Sequence, residues 1–503
     1  MLNEYRQENP LRAPNVFNLA KHANLKQIEA SLAQATHYQR WHALATEHDR
    51  LTGKTQWRAR EETRLYDYAE IRRRKTRIEA LLNSGDTKGL LRHLNEGVHG
   101  NMGGMGDSRL YHRSKVGTKH LIENYLDLLS NAFEHIGEDP KQLLNDWEKT
   151  DFFRRASHCY GRSALMLSGG AGLIYFHHGV IAELAEHGCL PNVISGASAG
   201  SWISVQVGSH TDEELAQGFF DRQRYPSLSG KELWSSLTNR SGVESAAFRE
   251  ALIDSFCSKM TFQEAYEHTG RYINISVAPV ERHQKPRLLN AITSPDVTLR
   301  SAAMASSAVP GMIDAVQLEC KDGHGRLIPY LPTRRWVDGS MVHDLPAKQL
   351  ARLYGVNHYL VSLINPLALP FTIEPALHRD NIYSAARRFF YNTSLDALKL
   401  SQSALEKTGR AQTLSNLLTV GHRLLDQEYT GDINLILRRS DYRSANTLFM
   451  YENNDIDTLI LAGRRSVWPR LAQIRNSLRP SQQLDELLIK FDQPSGLQRY
   501  MIR

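Results

Sequence analysis

Residues 164–172 read Ala-Leu-Met-Leu-Ser-Gly-Gly-Ala-Gly, and residues 193–200 read Val-Ile-Ser-Gly-Ala-Ser-Ala-Gly. Each begins with a short apolar run, turns through small residues and leads into a helix-compatible stretch. Strand, sharp turn, helix is the repeating unit of an α/β fold with a mainly parallel sheet. The runs at Tyr272–Ala278, Trp336-Val337 and Tyr359–Ile364 supply further strands, and Gly431–Leu437 reads as one more.

The second turn is also a chemical signal. Gly196-x-Ser198-x-Gly200 is the pattern of a nucleophile elbow, which exposes a serine hydroxyl on a strand-to-helix turn. Glycine is needed on both sides because a side chain there would strike the neighbouring strand or helix. The turn also puts Ser198 at a helix N-terminus, where backbone N–H groups favour negative charge. The competing reading is a small-residue turn in a buried loop.

The first turn, Ser168-Gly169-Gly170-Ala171-Gly172, can gather several backbone amides into one concavity, a nest suited to an oxyanion. A dinucleotide-binding turn would need G-x-G-x-x-G. Here Tyr175 stands at the third glycine, and no acid ends the next strand. A plain turn remains the other alternative. Asp338-Gly339 closes a third apolar run. Alone it is an ordinary turn signal, but a serine nucleophile needs a base, and an ionised aspartate can take its proton. A histidine could serve instead, and His343, His358, His378 and His422 all follow Asp338. His177 and His178, on the helix after the glycine turn, read as packing residues or, at most, as supports for residues that touch substrate.

Outward from this core, the chain has 503 residues, 41% of them hydrophobic and 23% charged. That composition excludes a disordered chain, a collagen repeat and a coiled-coil rod. Residues 1–155 read as a helical N-terminal extension, with Leu25, Ile28 and Leu32 on one helix face and Leu121, Tyr125, Leu128 and Ala132 on another. Residues 160–351 read as the catalytic unit, and 352–503 as a mainly helical region packed on it, with long helical patterns over Ile382–Leu425. The basic run Arg72-Arg73-Arg74-Lys75 is either a solvated face offset by Glu61, Glu62, Asp67 and Glu70, or a phosphate or headgroup contact. Gly100–Gly106 reads as a loop.

The net charge is +7, a thin excess over so long a chain. It permits an anionic surface and requires none. Four cysteines, Cys159, Cys189, Cys257 and Cys320, form no C-x-x-C pair, so neither a zinc site nor a disulfide framework is expected, and a reducing compartment fits. The polar first ten residues predict no secretory signal. No apolar run nears the ~18 residues of a membrane span.

Taken in order, the glycine-rich turn, G-x-S-x-G and Asp-Gly resemble the patatin-like phospholipases over roughly residues 164–351. The stretch Ser301–Met312, with Ala308-Val309-Pro310-Gly311, resembles the family's segment before its aspartate. Leu65-Tyr66-Asp67-Tyr68, Met105–Tyr111 and Val116-Gly117-Thr118 resemble the helical extension of one branch, which includes fungal lipid-droplet triacylglycerol lipases and bacterial relatives. Gly463-Arg464-Arg465-Ser466-Val467-Trp468-Pro469 resembles that branch's C-terminal signature.

The resemblance implies a three-layer α/β/α core and a Ser–Asp dyad without histidine. Ser198 would be the nucleophile and Asp338 the base. The amides of Gly169, Gly170, Ala171 and Ala199 would form the oxyanion hole. It further implies a lipid ester substrate, no cofactor, no metal and no nucleic acid, and a cytoplasmic enzyme that touches a membrane or droplet only peripherally, for which Leu367–Phe371 is a candidate contact. Three positions depart from the family pattern. Ala171 stands for the third glycine, Leu173 for a basic residue and Ile174 for the last glycine. Alanine fits if its φ is negative; Ile174 leaves less room for a close backbone approach. These changes bear on the oxyanion hole, and an alternative is a weak or inactive patatin-fold lipid-binding or scaffold protein. The H-x-x-x-x-D pattern, which some fungal relatives carry in association with acyltransferase activity, occurs at none of the 21 histidines, so that second activity is not expected.

Overall fold

The computed structural model describes residues 16–217, 258–281, 284–309, 313–340, 344–365, 431–438, 441 and 453–491. The chain opens with helices α1 (Val16–Gln34), α2 (Tyr38–Leu51), α3 (Lys54–Ala59), α4 (Tyr68–Ser84), α5 (Thr87–Asn95), α6 (Ser108–Tyr111), α7 (His120–Glu138) and α8 (Asp146–Tyr160). Capping sets several of their starts. Asp67 accepts the Glu70 N–H ahead of α4, and Asn145 and Glu148 form a reciprocal capping box at α8. Ile71, Ile78, Leu90, Ile122, Phe133 and Phe152 join in one core under these helices. Ile28 and Leu32 pack separately with Trp41 and Trp468. The basic run is consumed internally. Arg72 pairs with Glu61, Arg73 with Glu70 and Lys75 with Glu79, while buried Arg74 donates to the Gly97 carbonyl. The solvated-face reading describes this stretch, and no cation of the four faces outward without an acidic or carbonyl partner.

Strands then alternate with helices: β1 (Arg162–Leu167), α9 (Ile174–Glu186), β2 (Val193–Gly196), α10 (Ala199–Gly208), α11 (Asp212–Ala216), α12 (Phe262–Thr269), β3 (Tyr272–Pro279), β4 (Arg287–Leu289), α13 (Leu299–Ser306), the hairpin β5 (Glu319–Lys321) and β6 (Leu327–Pro329), and β7 (Trp336–Asp338). After these come α14 (Ala347–Tyr354), β8 (Val356–Leu363), β9 (Ile433–Ile436), α15 (Asn453–Val467) and α16 (Leu471–Phe491).

Among the described residues, seven strands make one sheet, ordered β4-β3-β2-β1-β8-β9, with β7 also paired to β3. The pairs β3-β2-β1-β8-β9 are parallel; β4 and β7 run antiparallel to β3. Parallel strands are covered on both faces and so are apolar throughout. Alternation then sorts the side chains. Leu165, Leu167 and Ile194 join the core with α9, α10 and α13, while Ala164, Met166 and Val193 join the opposite one with Leu350 and Tyr354 of α14. That is a three-layer α/β/α arrangement.

A boundary at 351 would cut this sheet. β8 pairs with the central strand β1, and β9 with β8, so two strands beyond 351 are core. A short strand such as Val356–Leu363 gives no hint in its sequence of which neighbour it will find. The helical patterns over Ile382–Leu425 lie outside the described residues.

The glycine of the C-terminal signature explains how α15 meets the core. A Cβ on Gly463 would lie 2.1 Å from the Phe176 carbonyl oxygen, and one on Gly179 would lie 2.0 Å from that of Ile460. The two helices cross backbone to backbone. Arg464 of α15 then bonds Glu183 and Glu186 of α9, Arg465 donates to the Ala35 carbonyl, and Trp468 is buried.

Candidate active site

β2 is buried along its length and delivers the chain to Ser198. The Ser198 backbone has φ 50° and ψ −120°, strained for a side chain other than glycine. Its neighbours make the turn possible. A Cβ on Gly196 would lie 2.2 Å from the Gly200 carbonyl oxygen, and one on Gly200 would lie 2.2 Å from that of Leu167. The strain is held by a buried hydroxyl. Ser306, the last residue of α13, accepts the Ser198 N–H at 2.9 Å and donates to the Ser276 carbonyl at 2.8 Å. Beside it Ser307 accepts the Trp202 indole N–H at 2.6 Å.

β7 brings the carboxyl. β3 pairs Ile275 with Gly196 and Val277 with Asp338, so one strand sets the register of both elements. The Asp338 N–H donates to the Ala308 carbonyl at 2.9 Å. Gly339 is required because a Cβ there would lie 2.2 Å from the Ser276 carbonyl oxygen. Asp338 is 2% exposed. Its Oδ1 accepts the Ser340 N–H at 2.7 Å, and the hydroxyls of Ser340 and Ser198 hydrogen-bond to the same carboxyl. Burial pushes the Asp338 pKa up to about 6, against the pull of those three hydrogen bonds. It is therefore a stronger base than a surface aspartate and is still ionised at neutral pH.

The glycine turn lies against both. A Cβ on Gly169 would fall 3.3 Å from Ser198 Cβ and 3.0 Å from Ser340 Cβ. Ala171 has φ 48°, so the condition that alanine fits with a negative φ is not met. A Cβ in that region costs about 1–2 kcal/mol, which the turn absorbs. Leu173 is fully buried in the core of α9 and α10, and Ile174 packs against the same core. Both departures from the family pattern thus serve packing.

The Gly169 amide is not open to an oxyanion. It donates to Asp344 Oδ1 at 2.8 Å. Gly170 and Ala171 follow it, and Ala199 is the first residue of α10, where the amides have no acceptor within the helix. These three are the candidate donors that remain.

Of the late histidines, His358 hydrogen-bonds Ser163 at the start of β1, the far end of the strands from Ser198. His343, His378 and His422 lie outside the described residues. His177 is fully buried. Its Nε2–H donates to the Ser168 carbonyl at 2.9 Å, so its Nδ1 accepts from the Ser362 hydroxyl at 2.7 Å. Burial pushes its pKa down to about 4, and it is neutral. Among the described residues, no group of three or more His, Cys, Asp or Glu side chains could hold a metal ion.

The residues that sequence reasoning missed are Ser306, Ser340 and Asp344. The last two stand within six positions of Asp338, and Ser306 lies in the stretch already noted before Pro310. Pro310 and Gly311 themselves lie outside the described residues.

Ser198, Asp338 and the glycine turn all fall inside one family match. Residues 165–351 fit the model described as "Patatin-like phospholipase". Residues 165–351 are thus a patatin-like phospholipase domain. Residues 18–158, ahead of the patatin-like domain, fit a model described as "Domain of unknown function (DUF3336)". Among curated proteins, the patatin-like chain is 30% identical over 484 residues to "Triacylglycerol lipase SDP1L" of Arabidopsis thaliana, covering 92% of this chain and 58% of that protein. It is 34% identical over 357 residues to "Triacylglycerol lipase ptl2" of Schizosaccharomyces pombe, covering 70% of this chain and 56% of that protein. A "Patatin-like phospholipase domain-containing protein" of Pyricularia oryzae is 30% identical over 499 residues, at 90% and 62% coverage. The matches thus span little more than half the length of these relatives.

Proposed function

We propose that this protein hydrolyses carboxylic esters of lipids, triacylglycerols or phospholipids, through a Ser198–Asp338 dyad. The hydrogen bond between the Ser198 hydroxyl and the buried Asp338 carboxyl carries the reading. The triacylglycerol lipases among its relatives supply the substrate class.

Ser198 Oγ attacks the ester carbonyl carbon while its proton passes to Asp338. The carbonyl oxygen becomes an oxyanion and rests on the amides of Gly170, Ala171 and Ala199. As the tetrahedral centre collapses, the C–O bond to the alcohol breaks and Asp338 returns the proton to the leaving oxygen. An acyl-enzyme on Ser198 remains. Water then attacks it, Asp338 takes the water's proton, and collapse frees the fatty acid and restores the Ser198 hydroxyl. Purified wild type, Ser198→Ala and Asp338→Asn compared on triacylglycerol and phospholipid emulsions test the dyad. Both variants should lose at least 10³-fold in kcat (roughly, from the loss of a dyad member), and full hydrolysis by either removes the assignment. A scaffold protein on the same fold, the alternative raised by strained Ala171, predicts no labelling of Ser198 by a fluorophosphonate.

Contact with lipid would be peripheral. No described helix is long and apolar enough to cross a membrane, and Leu367–Phe371 lies outside the described residues. The hairpin β5–β6 and the residues just after it instead offer Leu327, Ile328 and Leu331, all exposed, with Arg334 and Arg335 close by in sequence.

A further inference from the structure

The loop that carries Asp338 comes back to the glycine turn six residues later, at Asp344. This side chain is 1% exposed, and its Oδ1 accepts the Gly169 N–H at 2.8 Å. The other end of the same peptide unit is the Ser168 carbonyl, which accepts His177 Nε2–H at 2.9 Å. In a trans peptide the C=O and N–H point in opposite directions. Two buried side chains, from α9 and from the loop after β7, therefore hold one peptide plane from both sides. Little room lies beside the plane, since a Cβ on Gly169 would fall 3.0 Å from Ser340 Cβ and 3.3 Å from Ser198 Cβ. The next two amides in the chain belong to Gly170 and Ala171, and their directions follow from the orientation of the plane before them.

We propose that Asp344 and His177 are positioning residues, a clamp that fixes the Ser168–Gly169 peptide and so aims the Gly170 and Ala171 amides at the oxyanion. The proposal rests on the reading of Ser198 as the nucleophile. Neither side chain touches the ester. Asp344 withdraws one amide from the site and sets the next two. What the clamp needs at position 344 is an acceptor oxygen in one place.

The test uses the full chain and a soluble short-chain p-nitrophenyl ester. Asp344→Asn keeps an acceptor oxygen and Asp344→Leu removes it. In parallel, His177→Gln keeps a donor for the Ser168 carbonyl and His177→Leu removes it. A removed oxyanion donor costs on the order of 10²–10³ in kcat, and a misaimed one about 10- to 100-fold. The two leucine variants should lose that factor in kcat with KM within about threefold of wild type, while the Asn and Gln variants stay close to wild type. Affinity for an alkyl trifluoromethyl ketone, whose adduct on Ser198 carries the oxyanion, should fall in step with kcat. A purely structural role would instead lower the urea midpoint and leave that correlation absent. A folded leucine variant with wild-type kcat and ketone affinity overturns the clamp. So does a loss in Asp344→Asn or His177→Gln as deep as in Ser198→Ala, since those two keep the hydrogen bonds and the volume. If Ser198→Ala itself retains hydrolysis and fluorophosphonate labelling, the nucleophile assignment falls first; if Ser198→Ala is inactive and the clamp variants are not, the clamp alone falls.

Discussion

Asp338 is asked to be buried and to be charged. Its folded pKa of about 6 lies above the ~3.9 of an unfolded chain. The native state thus binds its proton more tightly, and stability falls as pH rises from about 4 to about 6. Above pH 6 the ionised group costs on the order of 3 kcal/mol. Asp338→Asn removes that cost, and its Oδ1 still accepts from Ser340. The variant should be inactive yet more stable than wild type in urea at pH 8, with the difference gone by pH 4. The same ionisation governs turnover: kcat/KM of the wild type should drop tenfold per unit below about pH 6, read on a soluble ester. Ala171, like Ser198, holds a positive φ without being glycine. Ala171→Gly should raise the urea midpoint, by roughly 1 kcal/mol in stability, because glycine takes φ 48° without a Cβ clash and gives back only part of the gain in chain entropy. Equal or lower stability in that variant would show the turn to be unstrained.

At the scale of elements, the elbow and the glycine turn were legible because each is local: an apolar strand, the small residues and the helix lie within a dozen positions. The base strand was legible for the same reason. The bonds that hold these pieces in register were not. Ser306 meets the Ser198 N–H across 108 residues, and Asp344 meets Gly169 across 175, and a serine or an aspartate in a loop carries no mark of such a partner. Nor did any pattern say that β8 would lie beside β1, since a run buried on both faces looks alike wherever it sits in the sheet. The glycine of the C-terminal signature was noticed by resemblance, and its reason is the α9–α15 crossing. Gly179→Ala should cost about 1–3 kcal/mol, since its methyl group meets backbone that cannot rotate away. Gly463→Ala should do the same, and the double variant should cost less than the sum, because the first methyl already forces the helices apart. Urea titrations of the four proteins read this directly.

On the scale of the whole molecule, the +7 of the opening composition is dispersed, and much of the basic N-terminal run is paired within the protein. The lipid contact proposed above then rests on a smaller feature, the β5–β6 hairpin. The double variant Leu327→Asp/Ile328→Asp should co-sediment less with phosphatidylglycerol vesicles and hydrolyse emulsified lipid more slowly, while keeping wild-type rates on a soluble ester. Unchanged co-sedimentation would move the contact elsewhere. The N-terminal helices are joined to the sheet from behind: α16 lies against both α7 and α8, and Arg162 at the start of β1 bonds Asp485 of α16.

The crossing of α9 by α15 also has a consequence in time. A ribosome makes the Ser198 elbow and all of α9 more than 250 residues before it reaches Gly463. Until then α9 has one flank bare, and Glu183 waits for Arg464. A nascent chain that already carries Ser198, Asp338 and the glycine turn is therefore an unfinished and adhesive object. It should need shelter from a chaperone while the last helices are made.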